Sequence, residues 1–293
     1  MNLDIYQYAI EATEELGELF SSLELKAAYA DIANESSTYY SVANESVLET
    51  IGNIFKAIGA FIAKIFNAVR EAISRAVNYI KGKLSRTKKT SSSKAYAIYY
   101  QSWVQANVNA EKNNPIQFVN DIEKNIESEN LQIDNITETK KENEEFAKEI
   151  DELISNNDLY RKRVKQFQPK DVMEFESQDA AINYNKKSYD AIINEMNYLS
   201  KNANDWIEAS KNIGKIKLKN YNSLSKSSEL KDYIKDKVNK FKSYIQLAKS
   251  SAMAIAKALL NCAKLYQKDF NAITHVFNTR EEAEAFLNSI NNA

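Results

Sequence analysis

Apolar residues along this chain recur mostly at three- and four-residue steps, which predicts helices rather than strands. Asp4 can cap a helix running to about Ala33, with Ile5, Tyr8, Ala12, Leu16, Leu19, Leu23 and Ala27 on its apolar side. The polar stretch from Asn34 to Asn44 reads as a linker. Ser46-Val47-Leu48-Glu49 reads as a capping box, in which hydroxyl and carboxylate satisfy the orphan amides reciprocally. It would open an amphipathic helix from Val47 to about Leu84. There the apolar positions 47, 48, 51, 54, 55, 58, 61, 62, 65, 66, 69, 73, 77, 80 and 84 make a wide stripe at the helical period. The opposite face carries Asn53, Lys56, Lys64, Asn67, Arg70, Glu71, Ser74, Asn78 and Lys81. Gly52 and Gly59, one heptad apart, predict a close approach of another helix. A basic, Ser-rich linker follows, through Lys94.

Residues 95–112 predict an aromatic-rich helix stopped by Asn113-Asn114-Pro115. Acidic helices are expected at about 115–129 and 136–156, then a basic joint from Arg161 to Lys170 around Pro169. A long helix over 170–212 should follow. The cleanest pattern is in 228–277: Leu230, Ile234, Val238, Phe241, Ile245, Ala248, Ala252, Ile255, Leu259, Cys262 and Tyr266, at alternating steps of four and three after the first. That is a heptad seam. At 1.5 Å per residue such a helix spans roughly 70 Å, which implies an extended bundle or a coiled-coil partner. Thr279-Arg280-Glu281-Glu282 is a second capping box, before a short terminal helix. The expected fold is all-α: an elongated bundle of long antiparallel helices with a coiled-coil-like C-terminal half. Its parts would be an acidic helical segment and linker over 1–46, the amphipathic basic helix and its linker over 47–94, and a long-helix bundle over 95–293.

Composition supports the helical reading. Ordinary usage would give about 20 Gly and 15 Pro in a chain of this length; this one has 5 and 2. The punctuation for hairpins, nucleotide loops and tight βα turns is therefore scarce. A single Cys and a single His argue against zinc sites, Cys–His nucleophiles and intrachain disulfides. No Walker, dinucleotide, zincin or nucleophile-elbow motif occurs, so the expectation is a protein without catalysis, metal or cofactor. The N-terminus lacks the basic and apolar regions of a signal peptide.

Charge adds more. The net charge of −1 is a sum of blocks: −8 over 1–46, +8 over 47–94, −9 over 95–160 and +8 over 161–293. Such alternation suggests one segment masking another. The basic face of the 47–84 helix and its linker supply the candidate contacts to DNA, a membrane or an acidic partner: Lys56, Lys64, Arg70, Arg75, Lys81, Lys83, Arg86, Lys88 and Lys89. Three readings of that helix stand side by side: core packing, a membrane-surface helix, and a transmembrane span. The span is the least favoured, because Glu49, Lys56 and Lys64 are costly in hydrocarbon. The acid-rich run Glu142, Glu144, Glu145, Glu149, Asp151 and Glu152 reads as a solvated helix face, His275 as packing, and Cys262 as a small core residue. The 17 Tyr and 12 Phe, beside Lys, fit either nucleic-acid stacking or core packing, and core use is favoured because many fall on the periodic stripes.

One short repeat marks the first charge reversal. Ala33-Asn34-Glu35-Ser36 recurs as Ala43-Asn44-Glu45-Ser46. It reads either as coincidence in a polar linker or as processing, since a small residue, any residue and then Glu is similar to the sites cut by maturation proteases of large tailed bacteriophages. Cleavage between Glu35 and Ser36, or between Glu45 and Ser46, would remove an acidic block and leave a basic, helical product. Such a product resembles the internal head and virion structural proteins of those phages. The resemblance implies a virion component made in the bacterial cytoplasm. Its partners would be other virion proteins or itself, with non-specific DNA contact. The alternatives are a membrane-active protein similar in outline to α-helical pore-forming toxins, and a plain coiled-coil scaffold.

Overall fold

The computed structural model describes residues 37–85, 94–102, 114–127, 134–184, 186–216 and 227–293, with Glu14, Glu18, Ser21 and Ser22 also in helix. Helix α1 spans Ser37–Ser85, and strand β1 spans Ala95–Tyr100. Helices α2 (Pro115–Glu127), α3 (Asp134–Ser155) and α4 (Asn157–Lys165) lead to strand β2 (Pro169–Phe175). Helices α5 (Gln178–Tyr184), α6 (Lys186–Ile213), α7 (Ser227–Ile273) and α8 (Arg280–Asn291) complete the described chain. The fold is thus helical, as the periodicity predicts, with one small sheet that it does not predict.

The described residues form two compact units. The first draws on the stretches 1–68, 110–143 and 203–256. Its aromatic centre is Trp206, stacked on Phe66 at 5.1 Å between ring centroids and met edge-on by Phe118 at 4.8 Å. Gly59 of α1 lies against the backbone of α6: a Cβ there would sit 2.6 Å from the Ser210 carbonyl oxygen and 3.2 Å from the Gly214 nitrogen. The predicted close approach therefore occurs at Gly59. It does not occur at Gly52, where a Cβ would meet nothing within 4 Å.

The second unit draws on 69–109, 144–202 and 257–293. Its sheet pairs β1 with β2 antiparallel, Ala95 opposite Phe175 and Tyr99 opposite Asp171, with an irregularity at Tyr100. On the other side of β1, Tyr96 exchanges backbone hydrogen bonds with Phe277, at 3.0 and 2.8 Å. Helices α5 and α8 pack on both strands, and α8 also packs on α4. Ala95, Ala97 and Ala181 are buried there, with Phe175 and Val276 against them. The C-terminal half of α7 is buried around most of its circumference. Besides the seam residues Leu259, Cys262 and Tyr266, Ala258, Leu260, Ala263, Leu265 and Phe270 are buried too.

Several expectations need correction. Residues 95–100 are a strand and not the start of a helix over 95–112 (103–112 lie outside the described residues). AYAIYY is rich in Tyr and Ile, which suit a pleated, half-buried surface. The joint at 161–170 is instead helix α4 followed by a turn, and the helix expected from 170 gives way to β2, α5 and α6. Pro169 explains the switch: it disfavours helix in the residue before it and is tolerated as the first residue of a strand. The acidic helix expected from about 115 does start there, as α2. The Asn114 side-chain oxygen accepts from the Ile116 and Gln117 amides at 3.0 and 3.2 Å, with Pro115 in the first helical position. Ser46 does not cap, and 37–44 are not a linker: α1 already runs from Ser37 through both. Thr279, by contrast, does cap α8, accepting from the Glu282 amide at 3.3 Å.

The turn between α4 and β2 contains the only described non-glycine residue with positive φ, Gln168 at 51°. An L side chain in this region costs roughly 1–2 kcal/mol. Gln168→Gly should therefore raise stability by about 0.5 kcal/mol, once the extra freedom of glycine in the unfolded chain is deducted. Thermal melts of the two proteins check it; a lower melting temperature for the variant would count against this account of the turn.

Candidate functional site

Helix α1 separates its residues sharply by face. Ile51, Ile54, Phe55, Ile58, Phe61, Ile62, Ile65, Phe66, Val69, Ile73, Val77 and Ile80 are all buried. The side chains of positions 47, 48 and 84 lie outside the described residues. Lys56, Lys64, Arg70, Arg75, Lys81 and Lys83 are all exposed. Arg70 and Lys81, eleven residues apart, are close to three whole turns from one another and so share one line along the helix. Arg86, Lys88 and Lys89 lie outside the described residues.

Residues Glu49–Lys83 form, among the described residues, one stretch long and apolar enough to cross a membrane by length and composition. Its apolar face is turned into the protein core. A membrane role would require that face to leave the core. The helix is held by its apolar side and carries exposed cations on the other.

Glu35 and Ser36 lie outside the described residues. Glu45 and Ser46 lie within α1, whose first residue is Ser37. A protease that reads extended backbone would have to open the first turns of α1 to reach the second copy of the repeat.

The second concentration of polar chemistry is buried. Arg163 on α4 grips Asp269 on α7 with two hydrogen bonds, Nη2 to Oδ2 at 2.8 Å and Nε to Oδ1 at 3.4 Å. The Tyr160 hydroxyl donates to Asp269 Oδ1 at 3.0 Å. Arg163 is 8% exposed and Asp269 is fully buried. Burial pushes the Asp269 carboxyl above its ordinary range, against the opposing pull of Arg163. Burial likewise pushes the Tyr160 hydroxyl up, helped by the adjacent Asp269 charge. Lys268 lies over the Tyr160 ring at 3.9 Å and donates to the Ile154 carbonyl at 2.8 Å. Nearby on α7, Asn261 donates to the Ala147 carbonyl at 2.8 Å. These bonds fasten α3 and α4 to α7. A fully engaged, water-excluded ion pair is suited to fixing a packing arrangement, and it offers no open position to a substrate.

Cys262 is buried, and burial pushes its thiol up to about 12, so it is held as an unreactive core side chain. His275 is exposed and rests against the rings of Phe277, at 4.4 Å, and Phe286, at 6.1 Å. In the acid-rich run of α3, Glu144, Glu145, Glu149, Asp151 and Glu152 are exposed and Glu142 is partly so. Among the described residues no group of three acidic, His or Cys side chains could hold a metal ion. The sequence reading missed the Arg163–Asp269 pair. Its one local signal is position: Asp269, three residues past Tyr266, falls on the next step of the seam. No family model, no curated protein and no solved structure matches the chain.

Proposed function

We propose that the chain is a non-enzymatic structural protein of a virion-type assembly, a bundle of long antiparallel helices whose α1 turns its basic face to DNA or an acidic partner. The observation that supports this reading is the division of α1: every described stripe position is buried, while Lys56, Lys64, Arg70, Arg75, Lys81 and Lys83 all reach solvent. Exposed cations along one helix suit a polyanion, because each phosphate neutralised releases a condensed counterion. The virion setting rests on the paired Ala-Asn-Glu-Ser and on the charge reversal beside it. Removing the acidic block would unmask the basic face.

The scaffold alternative draws less support. Its seam is buried within the chain from Ile245 to Tyr266, leaving only Leu230 to Phe241, whose side chains lie outside the described residues.

The test is a salt titration of duplex DNA binding. Replacing the six cations by Gln should weaken binding and flatten the dependence of log K on log salt by up to about 5. An unchanged affinity and slope would remove the DNA reading. Mass spectrometry of the protein from its native particle addresses processing: peptides beginning at Ser36 or Ser46 are expected, and an intact chain from Met1 would rule the step out.

A further inference from the structure

Not all of the polar face of α1 is polar. Tyr79 lies on it, 41% exposed, although nearly every other described large apolar or aromatic residue of the helix is buried. It stands midway between two cations, Arg75 four residues before it and Lys83 four residues after, both exposed. Residues at this spacing are neighbours on a helix surface, so the three form one row on successive turns. Arg75 and Lys83 are therefore about 12 Å apart along the axis, with the ring between them. Lys83 is held in place twice: its ammonium lies 5.0 Å from the Tyr79 ring centroid and donates to the Asn271 side-chain oxygen at 3.3 Å. Asn78 and Lys81 are exposed beside the row.

We infer that the Arg75–Tyr79–Lys83 row of α1 binds single-stranded nucleic acid, with a base stacked on Tyr79 and flanking phosphates on the two cations. This rests on the polyanion reading of the same face and narrows its ligand. Cations alone accept any polyanion. An exposed aromatic ring among them adds a surface for a flat apolar partner, and an unpaired base supplies one. Duplex DNA keeps its base faces stacked inside the helix, and an acidic peptide has none. The Lys83 ammonium lies over the ring and already restrains it, so less freedom is lost when a base settles on it.

Fluorescence anisotropy with labelled oligo(dT), oligo(rU), a duplex of equal length and polyglutamate tests the inference. Tyr79→Ala should weaken oligo(dT) binding about tenfold, in line with stacking on a single aromatic side chain. It should change duplex and polyglutamate binding less than twofold. Tyr79→Phe keeps the ring and should stay within twofold of the native protein. An equal loss on oligo(rU) means either sugar is accepted; a loss confined to one assigns the ligand to DNA or to RNA. Oligo(dT) binding unaltered by Tyr79→Ala, or an equal loss on all four probes, overturns the inference. If Arg75→Gln and Lys83→Gln still weaken duplex binding, the polyanion reading survives that failure. If the chain binds none of the probes, both fall. Preference for polyglutamate over every nucleic acid would assign the face to an acidic protein instead. Tyr79 is exposed, so thermal melts of the variants should superpose, and they serve as the folding control.

Discussion

Arg163→Met lowers the stability of the protein by about 3–5 kcal/mol, because it leaves the Asp269 carboxylate buried without its cation. The carboxylate has no exposure to water, and the Tyr160 hydroxyl, a neutral donor, remains bonded to it. Removing both charges is different. Arg163→Met with Asp269→Leu should recover most of the loss, since a buried pair exchanged for packed apolar side chains is often close to neutral. The sign of the pH dependence follows from the direction of the Asp269 shift. Its folded-state pKa is raised, mainly by burial, above the ordinary carboxylate value, and loss of Arg163 raises it further. A raised pKa means the folded state holds its proton more tightly. The corresponding stability is complete below the unfolded value of about 4 and is lost as pH rises through the folded one. The single variant should therefore be closer to the native protein at pH 5 than at pH 8. Urea titrations at the two pH values decide it: a deficit that grows toward acid would show that loss of Arg163 does not raise the Asp269 pKa.

Gly59→Ala is the other change with a large expected effect, a loss of about 1–3 kcal/mol from forced displacement in a packed region. The added methyl would meet the Ser210 carbonyl oxygen at 2.6 Å and the Gly214 nitrogen at 3.2 Å. Those atoms belong to backbone, so no side chain can swing away. They are also bonded to each other, the Gly214 amide donating to Ser210 at 3.2 Å. Gly52→Ala has the opposite sign. Nothing lies within 4 Å of its added Cβ, and alanine in a helix interior is favoured over glycine by about 0.5–1 kcal/mol. Two identical substitutions, seven residues apart on one helix, thus move the melting temperature in opposite directions. A common direction would mean that α1 does not approach α6 at Gly59.

The contrast shows what the sequence can and cannot carry. Periodicity located both glycines on α1 and predicted close approach at each, but which one meets a neighbour depends on a helix more than 140 residues away. The same limit explains the sheet. β1 pairs with β2 and bridges to Phe277, both distant in the chain, so no turn residues announce it. Ala95 and Ala97 even lend the segment the look of a helix. In α7 the heptad seam was legible and its described positions are buried, but burial extends well beyond a seam. Ala254, Ala256, Ala258 and Ala263 are small enough to be enclosed on every side, a property no two-sided pattern displays. The basic face of α1 was read residue by residue. Tyr79 is not legible there, because periodicity groups aromatic residues with the core and does not show which ring stays exposed between two cations.

The distance between the strands has a consequence during synthesis. Chains emerge N-terminus first at roughly 5–20 residues per second, so β1 precedes β2 by about 4–14 s. Phe277 follows later still. For that interval AYAIYY, six residues without charge, Pro or Gly, has neither partner. Segments of this kind associate readily with copies of themselves. The basic, Ser-rich stretch just before it, with Arg86, Lys88, Lys89 and Lys94, places like charge beside the segment, and such charge opposes that association.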